Sequence, residues 1–137
     1  MYALAATPNP EKQSYLLNDM ALDKTQVRSQ DSVGLITSVA RSGRASQELA
    51  WAWAKDNWDE LFARYGQGGF AFNNLVAGTC GGFTTRAQLV DVTSFFDSHK
   101  DQSGAATQEI EKSKEKIQGA INWIEKNAAK VCAYLEE

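Results

Sequence analysis

Apolar residues recur along this chain at intervals of three and four, while the alternation of a half-buried strand is almost absent, so the pattern predicts an all-helical fold. The apolar stretch Met1 to Ala6 ends before Thr7-Pro8-Asn9-Pro10. There Asn9 can cap a helix that has Pro10 at its first position and Glu11 beside the positive end of the dipole. This helix should reach about Ala21 and bury Tyr15, Leu16 and Met20. A second runs from Gln30 to Ala40 with Val33, Ile36, Val39 and Ala40 inward, and Ser42-Gly43 stops it. Helical pattern resumes from Ala45 to Tyr65 and, after a glycine-rich break, from Phe70 to Ala77. Thr85 and Gln88 have capping-box spacing and open a helix to about His99 that buries Leu89, Val92, Phe95 and Phe96. Asp101 to Gly104 is a loop. From Thr107 to Glu136, Ile110, Ile117, Ile121, Ile124, Ala128, Val131 and Leu135 fall at helical intervals in a segment long enough for one helix, which Gly119 can bend. That helix is expected to close the stack.

The densest signal lies at Leu49 to Leu61, LAWAWAKDNWDEL, where Trp51, Ala54, Trp58, Leu61 and, beyond it, Tyr65 share one face of a helix or of two consecutive helices. Leu49, Ala50 and Trp53 widen the stripe beyond the needs of one partner, as in stacked helix pairs. Aromatic residues at helical spacing usually pack, so Trp51, Trp53, Trp58, Phe95, Phe96 and Trp123 are assigned to the core. Helices joined by short turns, with no exact repeat, predict an irregular α-solenoid of antiparallel helix pairs, a HEAT- or armadillo-like superhelix with roughly 40 residues per pair. Residues 1–137 fit a single helical-repeat domain. Tyr2 and Leu4 read as part of a helix with earlier turns, so this domain is expected to be the C-terminal part of a larger solenoid.

Composition narrows the chemistry. The chain is 43% hydrophobic and 23% charged with a formal net charge of −3, ordinary for a globular domain and unlike a non-specific nucleic-acid or anionic-membrane binder. The longest uncharged run, near Tyr65 to Thr85, is rich in Gly and Asn and makes a poor membrane span, and the N-terminus does not resemble a secretory signal. The run Lys112, Lys114, Lys116 alternates with Glu111 and Glu115 and reads as a solvated face. Cys80 and Cys132 fit neither a disulfide scaffold nor zinc spacing, so reduced thiols in a cytoplasmic compartment are expected. His99 is the sole histidine, which rules out a two-His zinc site within the chain. Asp97, Ser98 and His99 are consecutive and should point apart, so no triad forms. A Cys80–His99 nucleophile and base is weaker than the ordinary reading of a small packed thiol, and the acid pairs Asp59–Glu60 and Glu136–Glu137 read as exposed.

Five segments in order, ALAATPNPE at Ala3 to Glu11, VRSQD at Val27 to Asp31, LAWAWAKDNWDEL, GFTTRAQLVDVTSFFDSHK at Gly82 to Lys100 and INWIEKN at Ile121 to Asn127, resemble the C-terminal end of the gluzincin zinc aminopeptidases. VRSQD and the FFDSH segment are most similar to the puromycin-sensitive branch. The resemblance implies a C-terminal helical solenoid that curves into a bowl over a catalytic domain. It also implies that the family's zinc belongs to a parent enzyme, since the HExxH helix, the distal Glu ligand, the GAMEN-type loop and the catalytic tyrosine have no counterpart in these residues. The chain alone is expected to hold no catalytic residue, metal ligand or cofactor. Its expected work is to complete the wall of a substrate chamber and to pack on the other domains of an enzyme that removes N-terminal residues from peptides.

Two places carry candidate binding chemistry. Gly78 to Arg86, GTCGGFTTR, sets Thr84, Thr85 and Arg86 at a helix start, where free N–H groups and the dipole favour an anion such as a carboxylate, against the plainer reading of a tight turn and cap. Arg41 ends the second helix. By resemblance it lies on the inner side of the bowl, where basic residues can meet the C-terminal carboxylate of a longer peptide, whereas the local reading is a dipole partner. Arg28 is weaker, because a local pair with Asp31 explains it. The expected partners are the remaining domains of the parent enzyme and peptide substrate, without nucleic acid or membrane, and with self-association of the isolated chain. Two alternatives stand beside this reading: a free-standing helical module that binds a protein partner, and a regulatory fragment acting on an aminopeptidase in trans.

Overall fold

The computed structural model describes residues 2–136, with Tyr2 described by its backbone alone. The apolar role given to Met1 and to the Tyr2 side chain, and the Glu137 half of the terminal acid pair, fall outside the described residues. The fold is all-α, with no strand among the described residues. Its helices are α1 (Tyr2–Ala5), α2 (Pro10–Tyr15), α3 (Ser29–Ala40), α4 (Arg44–Asp56), α5 (Trp58–Tyr65), α6 (Phe70–Thr79), α7 (Arg86–Ser98) and α8 (Thr107–Glu136). A π-helical turn over Leu16–Met20 extends α2, and 3₁₀ turns at Lys100–Gln102 and Gly104–Ala106 replace the expected plain loop.

Local chemistry sets most boundaries. Asn9 Oδ1 accepts from Glu11 N at 2.9 Å and Lys12 N at 3.2 Å, which satisfies two of the orphan N–H groups at the start of α2. Asn57 leaves helical geometry and donates its side-chain amide to Trp53 O at 2.8 Å, so the tryptophan segment divides into α4 and α5 rather than running as one helix. Thr85 and Gln88 form the expected capping box. The inward face of α2 and its extension is Gln13, Leu16, Leu17 and Ala21. Gln13 is buried because its amide donates to Thr7 O and Ser46 Oγ. A polar residue on the inner face disguised the register, and Tyr15, expected inside, is 53% exposed.

Packing joins consecutive helices, α3 with α4 and α7 with α8, as well as more distant ones. α3 lies against α1, α4 and α6; α6 in turn meets α8, and α2 meets α4. This order is compatible with stacked helix pairs. Between α4, α5, α6 and α7 sits an aromatic cluster in which Trp58 meets Phe95 edge-on at 5.3 Å and Phe96 at 5.4 Å, while Trp51 meets Phe95 at 5.3 Å. Trp51, Trp53, Trp58 and Phe96 are buried, while Phe95 packs against them only partly buried.

The expectation for α8 requires correction. Ile110, Ile117 and Ile121 are buried, but Ile124, Ala128, Val131 and Leu135 are exposed, and Trp123, assigned to the core, is 60% exposed. Length explains this. The neighbours α6 and α7 have 10 and 13 residues, whereas α8 has 30 and continues without a break at Gly119. At a rise of about 1.5 Å per residue, those helices cover only its first half.

Candidate functional site

The C-terminus of α3, the N-terminus of α4, the end of α6 and the middle of α8 meet around a cleft of about 420 Å³. Its charged lining consists of Arg41, Arg44 and Lys116, with Gln47, Gly78 and Gly82 among the rest. A smaller compartment of about 170 Å³ adjoins it, sharing Arg44, Gln47 and Gly82 and adding Glu48, Phe83, Thr84, Thr85 and Gln88. Glycine matters at the junction, since a Cβ on Gly82 would lie 2.7 Å from Gln47 Nε2. Gly78 allows α6 to close on α3, because a Cβ there would lie 2.9 Å from Thr37 Cβ.

The electrostatics of the larger compartment are one-sided. Lys55, Arg64, Arg86, Lys112 and Lys114 all form ion pairs, but Arg41, Arg44 and Lys116 form none among the described residues. Gly43, which also lines the cleft, starts α4 without a side-chain cap, so the positive end of that helix adds to the field. Such an arrangement suits an anion.

Sequence-predicted residues divide here. Arg41, Thr84 and Thr85 come together in two joined compartments. Arg86 lies in neither, because its Nε and Nη2 grip the two carboxylate oxygens of Glu125, each at 2.8 Å. The N–H groups expected to be free at Thr84 and Thr85 are taken by Gln88 Oε1 at 3.1 and 3.2 Å, and Gln88 Nε2 donates to Glu48. With Gln88 N donating to Thr85 Oγ1 at 3.2 Å, three N–H groups at this helix start are answered from within. No ion pair joins Arg28 to Asp31. The sequence reading missed Arg44, Gln47 and Lys116. Lys112 and Lys114 pair with Glu109 and Glu111, Lys112 in solvent as expected and Lys114 largely covered, whereas Lys116 forms no such pair and lines the cleft.

The other reactive side chains singled out in the sequence are Cys80 and the Asp97-Ser98-His99 run. Cys80 is buried, its Sγ donates to Val76 O at 3.2 Å, and burial pushes the thiol up to about 12. His99 stacks on Phe95 at 4.2 Å, with Nδ1 at 2.8 Å from Phe95 O and 3.0 Å from Ser98 Oγ. A carbonyl can only accept, so that contact requires the proton on Nδ1. Ser98 and His99 therefore do touch, contrary to expectation, but Asp97 does not join them. Among the described residues no three of His, Cys, Asp and Glu are gathered as metal ligands, so these residues do not fit the zinc that the resemblance implies for a parent enzyme. Likewise no described helix is long and apolar enough to cross a membrane.

Comparison with known proteins adds the wider context. A model of the ERAP1-like C-terminal domain matches residues 1–119. The chain is 34% identical over 127 residues to aminopeptidase N of Bos taurus, covering 90% of this chain and 13% of that protein. It is 33% identical over 114 residues to aminopeptidase Ey of Gallus gallus, covering 82% of this chain and 12% of that protein. With endoplasmic reticulum aminopeptidase 1 of Mus musculus it shares 29% identity over 136 residues, 99% of this chain and 14% of the other. The chain thus spans only 12–14% of the length of these relatives.

Proposed function

The chain belongs to the ERAP1-like C-terminal domain family, and from that premise we propose that it is a non-catalytic helical segment of a zinc aminopeptidase, where it forms part of the substrate-chamber wall. Bond cleavage and the zinc ion fall to other parts of the parent enzyme, on which this segment packs. The exposed apolar residues Trp123, Val131, Tyr134 and Leu135 on α8 support such packing. Resemblance at Val27 to Asp31 and Phe95 to His99 supports a parent of the puromycin-sensitive kind, and the free thiols of Cys80 and Cys132 support a reducing, cytoplasmic setting.

One observation carries the binding role: a cleft whose charged lining is three cations, none of them neutralised by an ion pair. In this reading Arg41, with Arg44 and Lys116, holds the C-terminal carboxylate of a peptide whose N-terminus is being trimmed elsewhere. Charge-assisted hydrogen bonds to a carboxylate suit guanidinium groups. The test is Arg41→Ala in the parent enzyme. Trimming of long peptides should weaken, mainly through KM, by about fivefold for one solvent-exposed ion pair, while small amino-acid amides, too short to reach the cleft, are cleaved as before. Equal loss on both substrate classes would remove Arg41 from peptide binding.

A further inference from the structure

We infer that the basic cleft selects peptides with an acidic residue at the C-terminus. The inference rests on the carboxylate-binding role proposed above and follows from counting charge. A peptide C-terminus brings one negative charge to a compartment that presents Arg41, Arg44 and Lys116. One carboxylate leaves two cations unanswered, and no acidic side chain lines that compartment to balance them. A terminal Glu or Asp brings a second carboxylate within a few ångströms of the first.

Space and neighbouring charge point the same way. At about 420 Å³ the larger compartment has room for a whole residue, since a water molecule accounts for about 30 Å³. The three cations come from three separate elements, Arg41 from the C-cap of α3, Arg44 from α4 and Lys116 from α8, so the cleft can offer charge to two carboxylates at once. The smaller compartment is unsuited to an acid, because Glu48 lines it and is held there by the Gln88 amide. An acidic side chain is therefore directed to the larger compartment, and the preceding backbone is left to the side of Thr84 and Thr85. With water reaching every one of these cations, the added pairs should sharpen binding about fivefold rather than a thousandfold.

The measurement is an anisotropy titration of this chain with N-terminally labelled decapeptides that differ only in a last residue of Glu, Gln or Lys, each with a free or amidated C-terminus. At about 50 mM salt the free Glu peptide should bind about fivefold tighter than Gln and tighter still than Lys, with the difference shrinking as salt rises. Lys116→Gln, at an exposed side chain without an ion pair among the described residues, should reduce the advantage of Glu over Gln, and combining it with Arg44→Gln should remove most of it. Equal binding of Glu and Gln, with amidation still weakening both, would overturn the acidic preference and leave the carboxylate role standing. Amidation without effect, or no binding of any peptide, would overturn the carboxylate role itself. An advantage of Glu that survives both Lys116→Gln and Arg44→Gln would place recognition elsewhere and overturn the assignment to this cleft.

Discussion

At the scale of single residues, Asp91 shows how polar groups fasten one helix to another. Its Oδ2 accepts from Trp51 Nε1 at 2.7 Å, and both oxygens accept from Lys55 Nζ at 2.8 and 2.9 Å, linking α7 to α4 beside the aromatic cluster. Burial pushes the Asp91 carboxyl up, but the hydrogen bonds from Lys55 and Trp51 and the lysine charge outweigh it and hold the group below the usual carboxylate range. Its contribution is thus present above the unfolded-state value of about 4 and is lost as pH falls through the lower folded value. Asp91→Asn should cost about 1 kcal/mol in urea unfolding at pH 7, and the gap to the unaltered chain should close as pH drops below about 4. Because Asp91 is half-exposed, a cost several times larger would mean that more than this pair had been disturbed. The two thiols differ as sharply. Cys132 is exposed and should be modified by a disulfide reagent in the native state, whereas Cys80, buried and pushed up to about 12, should react only on unfolding. Two equally fast thiols in the native state would contradict the packing of Cys80.

At the scale of helices, the seam between α3 and α6 depends on a residue with no side chain. Gly78→Ala would drive a methyl group into Thr37 and should destabilise the domain by about 1–3 kcal/mol, while adding Thr37→Ser, which removes the methyl at the point of collision, should restore part of the loss. Thermal melts of the parent chain and the two variants check this, and a Gly78→Ala chain as stable as the parent would show that the seam yields. The same seam marks how far the sequence could be read. Periodicity located α3, α6 and α7 to within two residues because each buries a regular stripe, and capping chemistry placed the starts of α2 and α7. It misjudged Tyr15 because Gln13 replaces an apolar residue on the inner face, and Trp123 because a stripe on one helix says nothing about whether a neighbour is long enough to cover it. Arg41, Thr84 and Thr85 were legible as chain punctuation with charge or hydroxyls beside it. Arg44 and Lys116 were not, since a cleft made by four elements leaves no local spacing to find.

At the scale of the molecule, the two ends of the packed domain present apolar surface for different reasons. Near α1 and α2, exposed Leu4 and Tyr15 flank an apolar hollow of about 200 Å³ reached by Leu16 and Met20. On α8 the spacing that buries Ile117 and Ile121 continues through Ile124, Val131 and Leu135 into open solvent, with Trp123 and Tyr134 beside it. A helix stripe in unbroken register is an incomplete packing surface, and free energy is released when another apolar face covers it. In a protein about eight times longer, other segments can supply that cover, whereas the isolated chain has only its own copies. Sedimentation velocity should therefore show the isolated chain associating as its concentration rises through the micromolar range. Val131→Glu with Leu135→Glu should suppress the association and leave the melting temperature nearly unchanged, because both residues are already exposed, Leu135 more than Val131. A large drop in melting temperature would instead mean that the second half of α8 is packed within one molecule. A sharp monomer at every concentration would show that the stripe is too narrow to hold two copies together, and would favour a partner that brings a broader apolar face.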